Sequence, residues 1–121
     1  SCDTAVVRVT AMAYDSERSV LFVGDDNGDF SKWDLTQSVH VPCDRDTEHD
    51  QHRNVCAPKL ERVAPNVHSN TITGCELFDE NTLLLSYSSD GQIKVMNTRN
   101  LLVLGVMRPD AVNPTAARLW N

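Results

Sequence analysis

The chain has 121 residues, 40% of them hydrophobic and 23% charged, and a net charge of −6. That length allows one domain with a modest core, and the acidic balance opposes general affinity for nucleic-acid phosphates or an anionic membrane surface. No apolar run approaches the ~20 residues of a bilayer-spanning helix, and Ser1-Cys2-Asp3-Thr4 shows no basic or apolar leader signal.

Val9-Thr10-Ala11-Met12 reads as a first strand, and the polar break Asp15–Ser19 separates it from a second, Val20-Leu21-Phe22-Val23. Asp25-Asp26-Asn27-Gly28 follows. Asn-Gly is a strong hairpin signal because both residues tolerate positive φ. A third strand runs from Asp29 to Leu35, with Phe30 and Trp33 as its large side chains, and Ser38-Val39-His40-Val41 alternates like a fourth. Residues 42–66 hold Pro42, Pro58 and Pro65 and the acidic run Asp44–Asp50, which reads as a solvated loop.

The pattern then returns. Ile72-Thr73-Gly74-Cys75, Leu83-Leu84-Leu85-Ser86, the turn Ser88-Ser89-Asp90-Gly91 and Gln92–Met96 repeat the first three strands 63 residues later, in register and without a gap. Leu101–Met107, closed by Pro109, fits an outer strand. Internal repetition of a strand meander predicts an all-β fold of two four-stranded antiparallel β-propeller blades. One blade spans about 40–45 residues, so the spacing implies roughly 20 inserted residues, protruding from the rim. The predicted organisation is a first blade over 1–43, an acidic, histidine-containing insertion over 44–66, a second blade over 67–109 and the start of a third over 110–121. The outer strand of the first blade is open between Gln37–Cys43 and Lys59–Val63.

Residues 22–35, ending in Trp33-Asp34, and residues 85–97 resemble the WD-repeat propeller family, and the resemblance covers roughly residues 5–109. His68, 22 residues before Asp90, stands where that family opens a repeat. The resemblance implies a structural tetrad of His, Ser or Thr, Asp and Trp. The second repeat offers His68, Ser86 and Asp90, with Met96 at the Trp position. The first offers Trp33, with Ala5, Val23 and Asn27 at the other three. Met has no N–H donor, so the chain of bonds should stop short of that strand. His68, Ser86 and Asp90 also have the composition of a hydrolytic triad, but no GxSxG elbow is present and the tetrad accounts for them.

His40, Cys43, His49, His52 and Cys56 are the richest run of metal-capable groups. Cys43, His49, His52 and Cys56 are the zinc candidates, but their spacing matches no standard finger, and a solvated acidic surface loop is the better reading of them, so no metal is expected. Asp25, Asp26 and Asp29 lack the order of a calcium loop. No phosphate loop is present. No catalytic or cofactor-binding residue is expected, and no cofactor. Cys2, Cys43, Cys56 and Cys75 form no CxxC pair and read as reduced thiols of a cytoplasmic protein. Phe22, Trp33, Tyr14, Leu77 and Phe78 read as core or blade interface. Arg8, Arg18, Lys32, Lys94, Arg99 and Arg108 appear scattered, with no stripe.

Propellers close with four or more blades, so two blades leave two apolar faces open. The remaining blades of a longer chain, or further copies of this one, are the partners expected to cover them. The resemblance implies a non-catalytic scaffold that binds other proteins, without nucleic acid or membrane. Asp26, Lys94 and Asn97 are its candidate contacts. The alternative is a structural segment of a large assembly such as a coat, a ciliary or cytoskeletal array or a ribosome-associated complex.

Overall fold

The computed structural model describes residues 7–42 and 52–108. Ten strands follow one another: β1 (Val9–Asp15), β2 (Val20–Asp25), β3 (Phe30–Asp34), β4 (Ser38–Pro42), β5 (His52–Cys56), β6 (Lys59–Ala64), β7 (Ile72–Phe78), β8 (Leu83–Ser88), β9 (Ile93–Asn97) and β10 (Val103–Met107). No helix occurs among the described residues. Two four-stranded sheets result, in the orders β1-β2-β3-β6 and β7-β8-β9-β10, with every pairing antiparallel.

The ambiguity over the first sheet's outer strand is resolved in favour of Lys59–Ala64. Trp33 pairs with Leu60 and Phe30 with Ala64. Ser38–Pro42, which the predicted boundary at residue 43 placed in the first blade, instead pairs with His52–Cys56 in a separate hairpin. β4 and β5 pair with each other, which leaves the edge of β3 to β6. The expected start of a third blade over 110–121 lies outside the described residues.

Side chains alternate across each strand, so each sheet has two faces. Ala11, Ala13, Val20, Phe22 and Phe30 of the first sheet meet Ile72, Cys75, Leu77, Leu84 and Met96 of the second, with Val67 and Leu101 closing the edges. Phe22, Phe30, Ile72, Leu84 and Met96 are almost wholly buried. Among the described residues this interface is the core. Among the described residues no sheet covers the other two faces, and Tyr14 and Phe78, expected in the core or at a blade interface, stand half-exposed on them. Both are in rows that point away from the interface, Tyr14 opposite Leu21 and Phe78 opposite Leu83.

The antiparallel order gives the pair of blades two ends. The β2–β3 turn, the β6–β7 loop and the β8–β9 turn share one end, where the Gly28 carbonyl accepts from the His68 N–H at 3.0 Å and the Asp26 carbonyl from the Thr71 hydroxyl at 3.2 Å. The β1–β2, β7–β8 and β9–β10 turns share the opposite end.

Candidate functional site

His68 lies in the β6–β7 loop, Ser86 on β8 and Asp90 in the β8–β9 turn, and the fold brings all three together. The imidazole Nδ1 is 3.1 Å from Asp90 Oδ2, and Nε2 is 2.8 Å from Ser86 Oγ. A neutral ring with its proton on Nδ1 donates to the carboxylate and accepts from the serine hydroxyl, so both nitrogens are satisfied. The Asp90 carboxylate also accepts from the backbone N–H groups of Ser69 at 3.1 Å and Gln92 at 2.8 Å. It therefore ties the loop entering the second blade to that blade's own turn.

Burial sets the charge state. Desolvation pulls the His68 pKa below its ordinary 6.5, and the nearby Asp90 opposes that shift without overcoming it. For Asp90, burial pushes upward, but bonds from Gln92, Ser69 and His68 prevail and hold the carboxyl below its ordinary 3.8. Both shifts have the same linkage sign: the unfolded chain binds the proton more readily. The histidine contribution is complete above pH 6.5 and declines as pH falls below it, whereas the carboxylate contribution is lost only below 3.8. Urea melts should therefore show stability falling already between pH 7 and 5. At pH 7.5, Ser86→Ala should cost about 1 kcal/mol by removing the hydroxyl that serves Nε2. A flat stability profile from pH 7 to 5, or an unaltered Ser86→Ala midpoint, would contradict this arrangement.

The order Asp90–His68–Ser86 is that of a hydrolytic triad, yet Ser86 has 0% of its surface exposed and faces the packed interface between the blades. A substrate carbonyl has no path to that hydroxyl. The single Ser86 hydroxyl proton serves Nε2, the Lys94 carbonyl 3.4 Å from Oγ only competes for it, and Met96 is wholly buried at the position where the resemblance called for tryptophan. Trp33 lies apart on the other sheet, where its indole N–H donates to Ser31 Oγ at 2.8 Å.

The three candidate partner contacts do not share a surface. Asp26 is exposed on the β2–β3 turn at the histidine end. Asn97 ends β9 at the opposite end, where its side-chain oxygen accepts from the Arg99 N–H at 2.7 Å. The Lys94 ammonium donates to the Val67 carbonyl and is taken up in joining β9 to the loop. Of the zinc candidates, Cys43 and His49 lie outside the described residues. His52 and Cys56 sit at the two ends of β5, opposite Pro42 and Ser38, which separates their backbones by roughly 13 Å at a strand's rise per residue. Among the described residues no three metal-capable side chains converge. Asp25 and Asp29 are turn acceptors: Asp25 Oδ1 takes the N–H groups of Asn27 and Asp29, and Asp29 Oδ1 takes that of Asn66. Cys56 and Cys75 are free thiols, and burial, with Glu76 adding to it, pushes Cys75 up to about 11.

Two features escaped the sequence reading. Asp15, almost wholly buried, accepts from the Arg18 guanidinium at 3.0 Å and from the Asn81 amide across the blade interface at 3.0 Å. Burial alone would raise its pKa, but the bonds from Arg18, Asn81 and Glu17 hold it low. The repeat register could not reveal this tie, because the residue 63 positions after Asp15 is Phe78. The second feature corrects the view of the basic residues as scattered: Arg18, Lys32 and Arg99 line one cavity at the end opposite His68.

No family model matches the chain, and no curated protein matches it. Among solved structures it is similar to the WD40 repeats of RRP9, with a TM-score of 0.64 and 12% identity. The likeness covers 89% of this chain and 28% of that one. Together with two antiparallel meanders packed face to face, it shows the two sheets to be blades of a WD40-like β-propeller fold.

Proposed function

We propose that this chain is the two-blade portion of a non-catalytic WD-repeat scaffold, working by binding other proteins within a multiprotein complex. The observation that carries this reading is the unequal burial of equivalent faces. Ile72 and Leu84 of the second blade are 0% exposed against the first blade, whereas their repeat counterparts are Val9, 53% exposed, and the half-buried Leu21. Met12 and Tyr14, on the same open face, are 61% and 50% exposed. That face forms a groove of about 550 Å³ lined by Met12, Leu21, Val23, Trp33, Leu60 and Val63. A sheet face of this composition is stabilised by a further blade at about 25 cal/mol per Å² of apolar surface removed from water. The remaining blades of a longer chain, or other copies of this one, would cover it. The sealed Ser86 supports a structural part for the His68 network, and the free thiols of Cys56 and Cys75 support a reducing, cytoplasmic setting.

Light scattering on the 121-residue chain should show self-association driven by this face. Met12→Lys with Tyr14→Lys should reduce it. A cooperatively melting monomer of 13.5 kDa would overturn the reading.

A further inference from the structure

At the end of the blades opposite His68, a cavity of about 210 Å³ opens between the two sheets. Val20 and the nearly buried Phe22 form its floor, and its walls carry Arg18, Lys32 and Arg99 together with Asp15. Arg62 on β6 stands beside it with Lys32, Arg99 and Glu61 around a second recess. These four cations come from four separate elements: the β1–β2 turn, β3, β6 and the β9–β10 turn. In a chain of net charge −6, such convergence concentrates positive potential in one cleft.

The carboxylates nearby offset only part of it. Asp15 lines the cavity and pairs with the Arg18 guanidinium at 3.0 Å, so Arg18 adds little to the net charge and Arg62 and Arg99 carry most of it. Glu61 lines the second recess and stands 3.8 Å from the Lys32 ammonium, so it offsets part of that charge. Glu17, Asp79 and Glu80 occupy the neighbouring turns without lining the cavity. Among the described residues, neither Arg62 nor Arg99 forms an ion pair. The Lys32 ammonium, donating to the Arg99 carbonyl at 3.1 Å, is held in place at the mouth with two N–H groups to spare.

We propose that this cleft is a docking site for an acidic segment of a protein partner, seating a glutamate side chain. Its methylenes would lie on Val20, and its carboxylate would meet Lys32 and Arg99, with Arg62 serving the adjacent acidic residue. A forked guanidinium and a preplaced ammonium suit a planar carboxylate. The apolar floor favours the longer stem of glutamate. Both walls belong to blades described here, so the site does not depend on which further blades complete a ring. The inference rests on the scaffold reading only in taking the partner to be a protein.

The test is fluorescence polarisation of a labelled hexaglutamate peptide on the purified full chain at low salt, with hexaglutamine and oligothymidylate as comparison probes. Saturable binding of hexaglutamate is expected, weakening as salt is added. Arg99→Glu or Arg62→Glu should weaken it by about tenfold or more, as reversal of an interfacial charge does. Arg8→Glu, at the histidine end, should leave it unchanged. Circular dichroism of each variant matching the parent shows that the fold is kept. The proposal is overturned by an absence of saturable binding, by equal affinity in Arg99→Glu, Arg62→Glu and the parent, by equal weakening in Arg8→Glu, or by oligothymidylate binding as tightly through the same residues. Ratios of affinity among variants at one fixed protein concentration do not require further blades, so failure here is separable from failure of the propeller reading.

Discussion

Gly28→Ala should be among the most damaging single substitutions in the chain, while Gly91→Ala, at the equivalent repeat position, should be mild. Both glycines have positive φ, +89° and +86°, and alanine in that region costs about 1–2 kcal/mol. The difference lies in what stands beyond them. A Cβ on Gly28 would lie 2.0 Å from the His68 carbonyl oxygen and 2.9 Å from that of Asn70, both backbone atoms. The β6–β7 loop would have to withdraw, breaking the 3.0 Å bond from the His68 N–H to the Gly28 carbonyl and pulling the imidazole from Ser86 and Asp90. A total loss of about 4 kcal/mol or more is expected. A Cβ on Gly91 meets nothing within 4 Å. Urea melts of both variants at one fixed protein concentration decide the matter, and hydrogen exchange at the His68 amide reads the loop directly. Similar midpoints for the two would show that the close approach of the blades at Gly28 is absent in solution.

Phe22→Ala carries the second large effect. Phe22 is 1% exposed, in the middle of β2 at the blade interface, and its removal should cost about 3–5 kcal/mol through lost burial and a residual cavity. Its repeat counterpart, Leu85, faces away from the interface and is only half-buried, so Leu85→Ala in this chain should cost about 1 kcal/mol. Equal penalties would mean that the outer face of the second blade is covered in solution. That would be a direct sign of self-association through it.

The meanders themselves were readable because a strand and its hairpin partner lie within a few residues, and alternation plus Asn27-Gly28 or Asp90-Gly91 specifies both. The His68, Ser86 and Asp90 network was readable for a similar reason: its spacing lies within one repeat and matches a known pattern. Its burial was not, because the cover is the first blade. The outer strand of that blade could not be chosen between two candidates, since each has strand-like composition. The choice is made in the folded sheet, where Lys59–Ala64 pairs with β3 and Ser38–Pro42 pairs with His52–Cys56.

The turns, the repeat and the grouping of His68, Ser86 and Asp90 were thus determined by short-range chemistry that a one-dimensional pattern retains. The tertiary structure alone decided which faces are covered, that Asp15 reaches Asn81, and that Arg18, Lys32 and Arg99 share one cavity. Those contacts join residues that sit far apart in the chain and at unmatched repeat positions. They arise when two sheets dock, which hydrophobic burial drives without direction; the side chains carried to the rim of that interface meet as a consequence of its packing.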